Sequence, residues 1–206
     1  ALPAVVIGGG LTSIDTATQC LIYYVRHVEK FAATIEKQKD KSIDTILEPF
    51  GPREKALAGT YLEHAKALRN ERQRAQAENR APHFLPLLNT WGGVKILYRK
   101  ALENSPAYRL NHEELQDALA QGVEIITNES THAYLTDEHG FIKALDLGSH
   151  TLPAKSVFLA LGTAPMDVEM NTDKFSTFGD MDPPYQGSVV KAMASANDKK
   201  KKIVQS

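Results

Sequence analysis

The stretch AVVIGGGLTSIDTA, Ala4 to Ala17, decides the fold. Ala4 to Ile7 is a short apolar run that stops at Gly8, Gly9 and Gly10, the pattern of a strand buried on both faces of a parallel sheet. From Thr12 to about Lys37, apolar residues recur at spacings of three and four (Ile14, Ala17, Leu21, Tyr24, Val25, Val28, Phe31), which predicts one long helix. Strand, glycine turn and helix in direct succession match a dinucleotide-binding unit. Gly8, Gly10 and Ser13 fit G-x-G-x-x-[G/A/S]: the first glycine makes the tight turn, the second admits a pyrophosphate, and the small third residue lets helix and strand pack closely. The free amides of the helix N-terminus, around Leu11 and Thr12, would face the phosphates.

Outward from this unit the chain becomes almost purely helical up to Pro82, with "SIDTILEPFGP" as a short helix and a break, followed by a long charged helix. Strand character returns at "VKILYRK", Val94 to Lys100. A short amphipathic helix with a glycine stop, "NHEELQDALAQG", leads directly into the strand "VEIIT". "THAYLTD", "FIKALDL" and "SHTLPAKSVFLALG" then suggest a small antiparallel meander that returns to a buried strand, Ser156 to Leu161. The expected fold is α/β: a Rossmann-like parallel sheet, a small antiparallel meander, and a long helical insertion over about residues 29–91.

Composition narrows the function classes. The chain has 206 residues, 42% hydrophobic and 24% charged, with a net charge of −1, so no bulk electrostatic case for nucleic acid exists. Its single cysteine, Cys20, excludes an intrachain disulfide, a dithiol redox pair and a Cys-rich zinc site, and favours a reducing, cytoplasmic compartment. No apolar run approaches the roughly 20 residues needed to span a bilayer, and the first residues do not read as a signal peptide. No membrane partner is expected.

An acidic residue for a ribose 2′-hydroxyl is expected about 20 residues beyond the glycines, at the end of the second strand. That strand ends instead in Arg99 and Lys100. Two cations there suit a 2′-phosphate, so the sequence prefers NADP(H) to NAD(H).

These segments carry a family resemblance. "VVIGGGLTSIDTA", "VKILYRK", "SPAYRLNHEELQDALAQGVEI", "FLALGTAP" and "FSTFGDMDPPYQGSVVKAMASA" occur in the order found in flavin-dependent pyridine nucleotide oxidoreductases. Within the pyridine nucleotide-disulfide oxidoreductase superfamily, the chain most resembles the glutamate synthase small-subunit group, over about two-thirds of its length. The resemblance implies an NADPH domain inserted into an FAD domain. Residues 1–174 would form the NAD(P)H-binding domain and residues 175–206 the returning segment of the FAD domain. Gly8 to Ser13 would hold the NADPH pyrophosphate, Arg99 and Lys100 the 2′-phosphate, and Gly162 a turn near the nicotinamide. Asp15 matches an acidic position in the family's first helix. Gly179 and Asp180 resemble the family's FAD motif. The expected partners are the missing FAD-binding part of a parent chain and an electron-acceptor domain or subunit; alone, the chain is expected to be inactive.

Departures accompany the likeness: Leu11 stands where the group often has Asn, Tyr108 falls near a position often basic, and the charged insertion lies between the first helix and the second strand. A rival reading is a regulatory module that senses NAD(P)H and uses its helical insertion to dock a partner. "RNERQRAQAENR", residues 69–80, interleaves Glu with its Arg and reads as a solvated helix face. Trp91 is expected to anchor the core beneath the insertion. The seven histidines show no H-x-x-x-H pair, and no serine has a nucleophile-elbow context.

Overall fold

The structure, a computed structural model, describes residues 1–38, 40–162, 183–185 and 189–203. The chain divides into two compact units, Ala1–Gly162 and Thr163–Ser206. In the second, a helix spans Val189–Ile203, and the Tyr185 hydroxyl donates to Asp198 Oδ2 at 2.6 Å.

Four parallel strands form the centre of the first unit. β1 (Ala4–Ile7) lies between β2 (Val94–Tyr98) and β7 (Ser156–Leu159), and β3 (Glu124–Thr127) flanks β2, for a spatial order of β3-β2-β1-β7. Ile7 is level with Leu97 on one side and Leu159 on the other, so β1 and β7 end on one line and β2 one residue beyond it. A second sheet, the antiparallel meander of β4 (Ala133–Thr136), β5 (Ile142–Asp146) and β6 (Thr151–Pro153), connects β3 to β7 where a crossover helix would otherwise run.

Each face of the parallel sheet has its own core. On one, α1 (Leu11–Glu36) presents Ile14, Ala17, Leu21, Tyr24, Val25, Val28 and Ala32 to Val6, Val94 and Ile96, as its periodicity predicts. On the other, Val5 and Leu97 pack with Leu145, Leu147, Leu152 and Ala154 of the meander and its links. The alternation within VKILY suggests a half-exposed strand. Leu97 is nonetheless buried, because the meander roofs the face that alternation would leave to water. β7 departs the other way: among the described residues it pairs on one side only, Phe158 is 41% exposed and Leu159 63%, and an apolar run reads the same in a central strand as in one paired on one side.

The insertion is helical and shares the main core. α2 spans Ile43–Leu47, α3 Pro52–Ala77 and α4 Leu85–Thr90. α3 buries one stripe, Ala58, Ala65, Leu68, Glu71 and Ala75, and Leu68 joins the cluster around Val28. Tyr61 and Leu62 pack against that cluster, while Leu57 stays partly exposed. Trp91 follows α4 and stacks on His64 of α3, the anchoring role expected of it.

The charged run 69–80 is less solvated than it reads. Arg69 pairs with Glu36 and Arg72 with Glu29, both on α1. Glu71 is buried, and it accepts hydrogen bonds from the Arg80 guanidinium at 2.7 Å, the His83 amide at 2.9 Å and Arg74. These donors hold its carboxyl down to about 2, Arg80 contributing most. Its partners across the 78–83 turn make this burial affordable. Where α3 begins, Arg53 lies over the Phe141 ring at 3.4 Å and 3.5 Å from Asp137, joining the insertion to the turn between β4 and β5.

Candidate functional site

The glycine turn joins β1 to α1, and its three glycines meet different surroundings. The Gly8 amide donates to the Leu97 carbonyl at 3.1 Å, and a Cβ at Gly8 would overlap the Ala160 carbonyl. At Gly9 a Cβ would run into the Tyr98 ring, and the Gly9 carbonyl accepts the Ala107 amide at 2.9 Å. Gly10 is different: a Cβ there would meet no protein atom within 4 Å. Its backbone is extended, with φ −102° and ψ 179°, which any residue can adopt. What its missing side chain leaves open is space on the outer side of the turn.

α1 starts at that opening without a capping side chain at Gly10. Its first amides, at Leu11 and Thr12, have no earlier helical carbonyl to reach, and both residues are exposed. Ser13 is buried, and both its amide and its hydroxyl donate to the Gly10 carbonyl, at 3.0 and 2.5 Å, which closes the first turn. Asp15 is exposed on the same end of the helix.

Arg99 and Lys100 lie immediately past the carboxyl end of β2, next to β1, so the sheet brings them to the same edge as Gly8–Ser13. Both are exposed, and neither makes an ion pair among the described residues. Their backbone is held: the Asn128 amide donates to the Lys100 carbonyl at 3.2 Å and the Glu129 amide to that of Tyr98 at 3.4 Å. Gly162 lies three residues past β7, on the other side of β1 from β2, with φ +90°, and a Cβ there would meet none of the described residues within 4 Å beyond its chain neighbours. Gly179 and Asp180 lie outside the described residues.

Open space at Gly10, uncapped amides and two unpaired cations along one sheet edge fit a phosphorylated dinucleotide. Gly9 and Tyr98 are not among the positions that the G-x-G-x-x-[G/A/S] signature specifies. A clue was present: a large aromatic residue ends the strand next to three consecutive glycines, one of which must make room for it.

No family model matches the chain. The uncharacterized protein RP006 of Rickettsia prowazekii (strain Madrid E) is 32% identical over 228 aligned positions, which take in 96% of this chain and 29% of that protein. Among solved structures, an FAD-dependent pyridine nucleotide-disulphide oxidoreductase from Desulfovibrio vulgaris superposes with a TM-score of 0.36 at 14% identity, covering 79% of this chain and 24% of that one. Putidaredoxin reductase, in its covalent complex with putidaredoxin, gives 0.37 at 15%, covering 77% and 23%. A ferredoxin reductase from Rhodopseudomonas palustris gives 0.34 at 12%, also covering 77% and 23%. The chain thus spans less than a third of each of these four proteins.

Proposed function

We propose that this chain is the NADPH-binding part of a flavin-dependent pyridine nucleotide oxidoreductase. The observation that carries this reading is the open face of Gly10 at the head of α1, set beside Arg99 and Lys100 on the neighbouring strand. Gly8–Ser13 would hold the pyrophosphate, Leu11 and Thr12 through their amides, and Arg99 and Lys100 the 2′-phosphate through charge-assisted hydrogen bonds. Gly162 would form a turn near the nicotinamide.

The chemistry the bound cofactors supply is hydride transfer from NADPH to FAD; the residues here bind and orient, and none need act as an acid or base. FAD would be held largely by other parts of a longer chain, with Gly179 and Asp180 contributing from the returning segment. The finer likeness to the glutamate synthase small-subunit group belongs to this proposal and rests on the sequence motifs alone. An electron-acceptor domain or subunit completes it.

Calorimetric titration of the purified chain with NADPH and NADH tests the reading. NADPH should bind more tightly, and replacing Arg99 and Lys100 together by Ala should remove most of the difference. Equal affinities in the unaltered chain would overturn the 2′-phosphate assignment, and no binding of either nucleotide would overturn the site.

A further inference from the structure

Three contacts tie the glycine turn to the segment that carries the two cations. The Gly9 Cα packs directly on the Tyr98 ring, so close that no side chain fits between them. The Tyr98 hydroxyl donates to the Asn104 carbonyl at 3.1 Å, bridging across Arg99–Glu103 from one end to the other. The Ala107 amide, two residues past Ser105, donates back to the Gly9 carbonyl at 2.9 Å. Between these points the segment turns on itself, with Asn104 N on the Ala101 carbonyl, Ser105 N on the Leu102 carbonyl, and the Ser105 hydroxyl capping the Tyr108 amide at 3.1 Å.

We infer that Tyr98 is a positioning residue for nucleotide selectivity. Its ring holds the pyrophosphate turn, and its hydroxyl holds the loop that presents Arg99 and Lys100, so one side chain fixes the distance between the two phosphate-binding elements. The inference rests on the NADPH reading of the site and adds the residue that sets its geometry. The two ends of Tyr98 act on different parts of the nucleotide. Loss of the hydroxyl frees the cation loop alone, which matters only to a ligand with a 2′-phosphate. Loss of the ring frees the glycine turn as well, which matters to both nucleotides.

The test compares the unaltered chain with Tyr98→Phe and Tyr98→Ala by calorimetry with NADPH and NADH, and by amide hydrogen exchange without ligand. Tyr98→Phe should weaken NADPH by about three- to tenfold, the range one net hydrogen bond spans, and leave NADH within about twofold. Exchange should quicken over residues 99–105 and not over 8–13. Tyr98→Ala should weaken both nucleotides and quicken exchange in both segments. Gly9→Ala, which drives a Cβ into the ring, should resemble Tyr98→Ala, and the double variant should be no worse than either, as expected for two residues acting through one contact. If the unaltered chain binds NADPH and both Tyr98 variants keep its preference over NADH, Tyr98 is only structural and the inference falls while the site stands. If the unaltered chain binds neither nucleotide, the site reading falls and takes the inference with it.

Discussion

The imidazole of His64 lies flat on the indole of Trp91, ring centroids 3.7 Å apart and planes 9° from parallel, while its Nδ1 sits 2.7 Å from the Tyr24 hydroxyl. One stack therefore joins α3, the end of α4 and α1. Burial pushes the His64 pKa below its ordinary 6.5, with Lys155 adding to the shift and Glu63 opposing it. Tyr24, Tyr61 and His27 are the other titratable rings in the cluster. Trp91 is the only tryptophan, so its emission reports this contact without a label. Lowering the pH should change the emission in one step centred below 6.5, and His64→Gln should abolish the step. Because the folded state disfavours the charged ring, the stability contributed here is complete above 6.5 and declines as pH falls through the lowered value. A midpoint at or above 6.5 would contradict the buried stack.

Glu71 gives a second acid-sensitive contribution in a different range. With its pKa moved from 4.5 to about 2, its contribution is present above 4.5 and disappears as pH falls toward 2. Glu71→Gln should lower the midpoint of thermal unfolding at neutral pH, and the gap from the unaltered chain should close across that acid interval. A gap that stays constant from neutral pH down to 2 would mean that the carboxylate charge contributes nothing.

Leu68 is fully buried where the insertion meets the main core. Leu68→Ala should cost about 2–5 kcal/mol in denaturant unfolding, the usual range for emptying such a site. NADPH affinity, measured where the variant remains folded, should change little, because α3 contributes none of the proposed nucleotide contacts. A large loss of affinity would instead make the insertion part of the site.

The glycines at the turn should separate stability from binding. Gly8→Ala sets a Cβ against the Ala160 carbonyl, backbone against backbone, and should destabilise by about 1–3 kcal/mol. Gly10→Ala meets open space in a conformation alanine accepts, so stability should change by less than about 1 kcal/mol. Its methyl group would fill the opening, and NADPH affinity should fall roughly tenfold, about 1.4 kcal/mol. Unchanged affinity in Gly10→Ala would place the nucleotide elsewhere.

What could be read from the sequence was what is written locally. Ala4–Ile7, the glycines after it and the apolar spacing of α1 are short-range patterns, and they gave β1, the turn and the helix to within a residue. Arg99 and Lys100 could be set at the end of β2 because the second strand of such a sheet ends beside the glycine turn, whereas Gly162 was reached only through the family resemblance. The constraint on Gly9 is only hinted at, by the aromatic end of β2, since it comes from Tyr98 and Ala107, far along the chain. Glu71 is hidden for the same reason: inside an Arg-rich helix it reads as surface, and only the return of the chain at Arg80 and His83 satisfies it in the core.

β1 takes its hydrogen bonds from residues 94–97 on one side and 156–159 on the other. At ribosomal rates of about 5–20 residues per second, Leu159 follows Ile7 by roughly 8–30 s. Throughout that interval the nascent Ala4–Ile7 run has no neighbour on the β7 side, and for the first part of it none on either, leaving an apolar strand edge open to other chains. The turn at Gly8 is translated long before Ala160, whose carbonyl lies close against it in the folded chain. A ribosome paused after β3 therefore carries the glycine turn and the Arg99–Lys100 segment with the sheet still open along β1, and that stage of synthesis is when chaperone contact would protect this chain most.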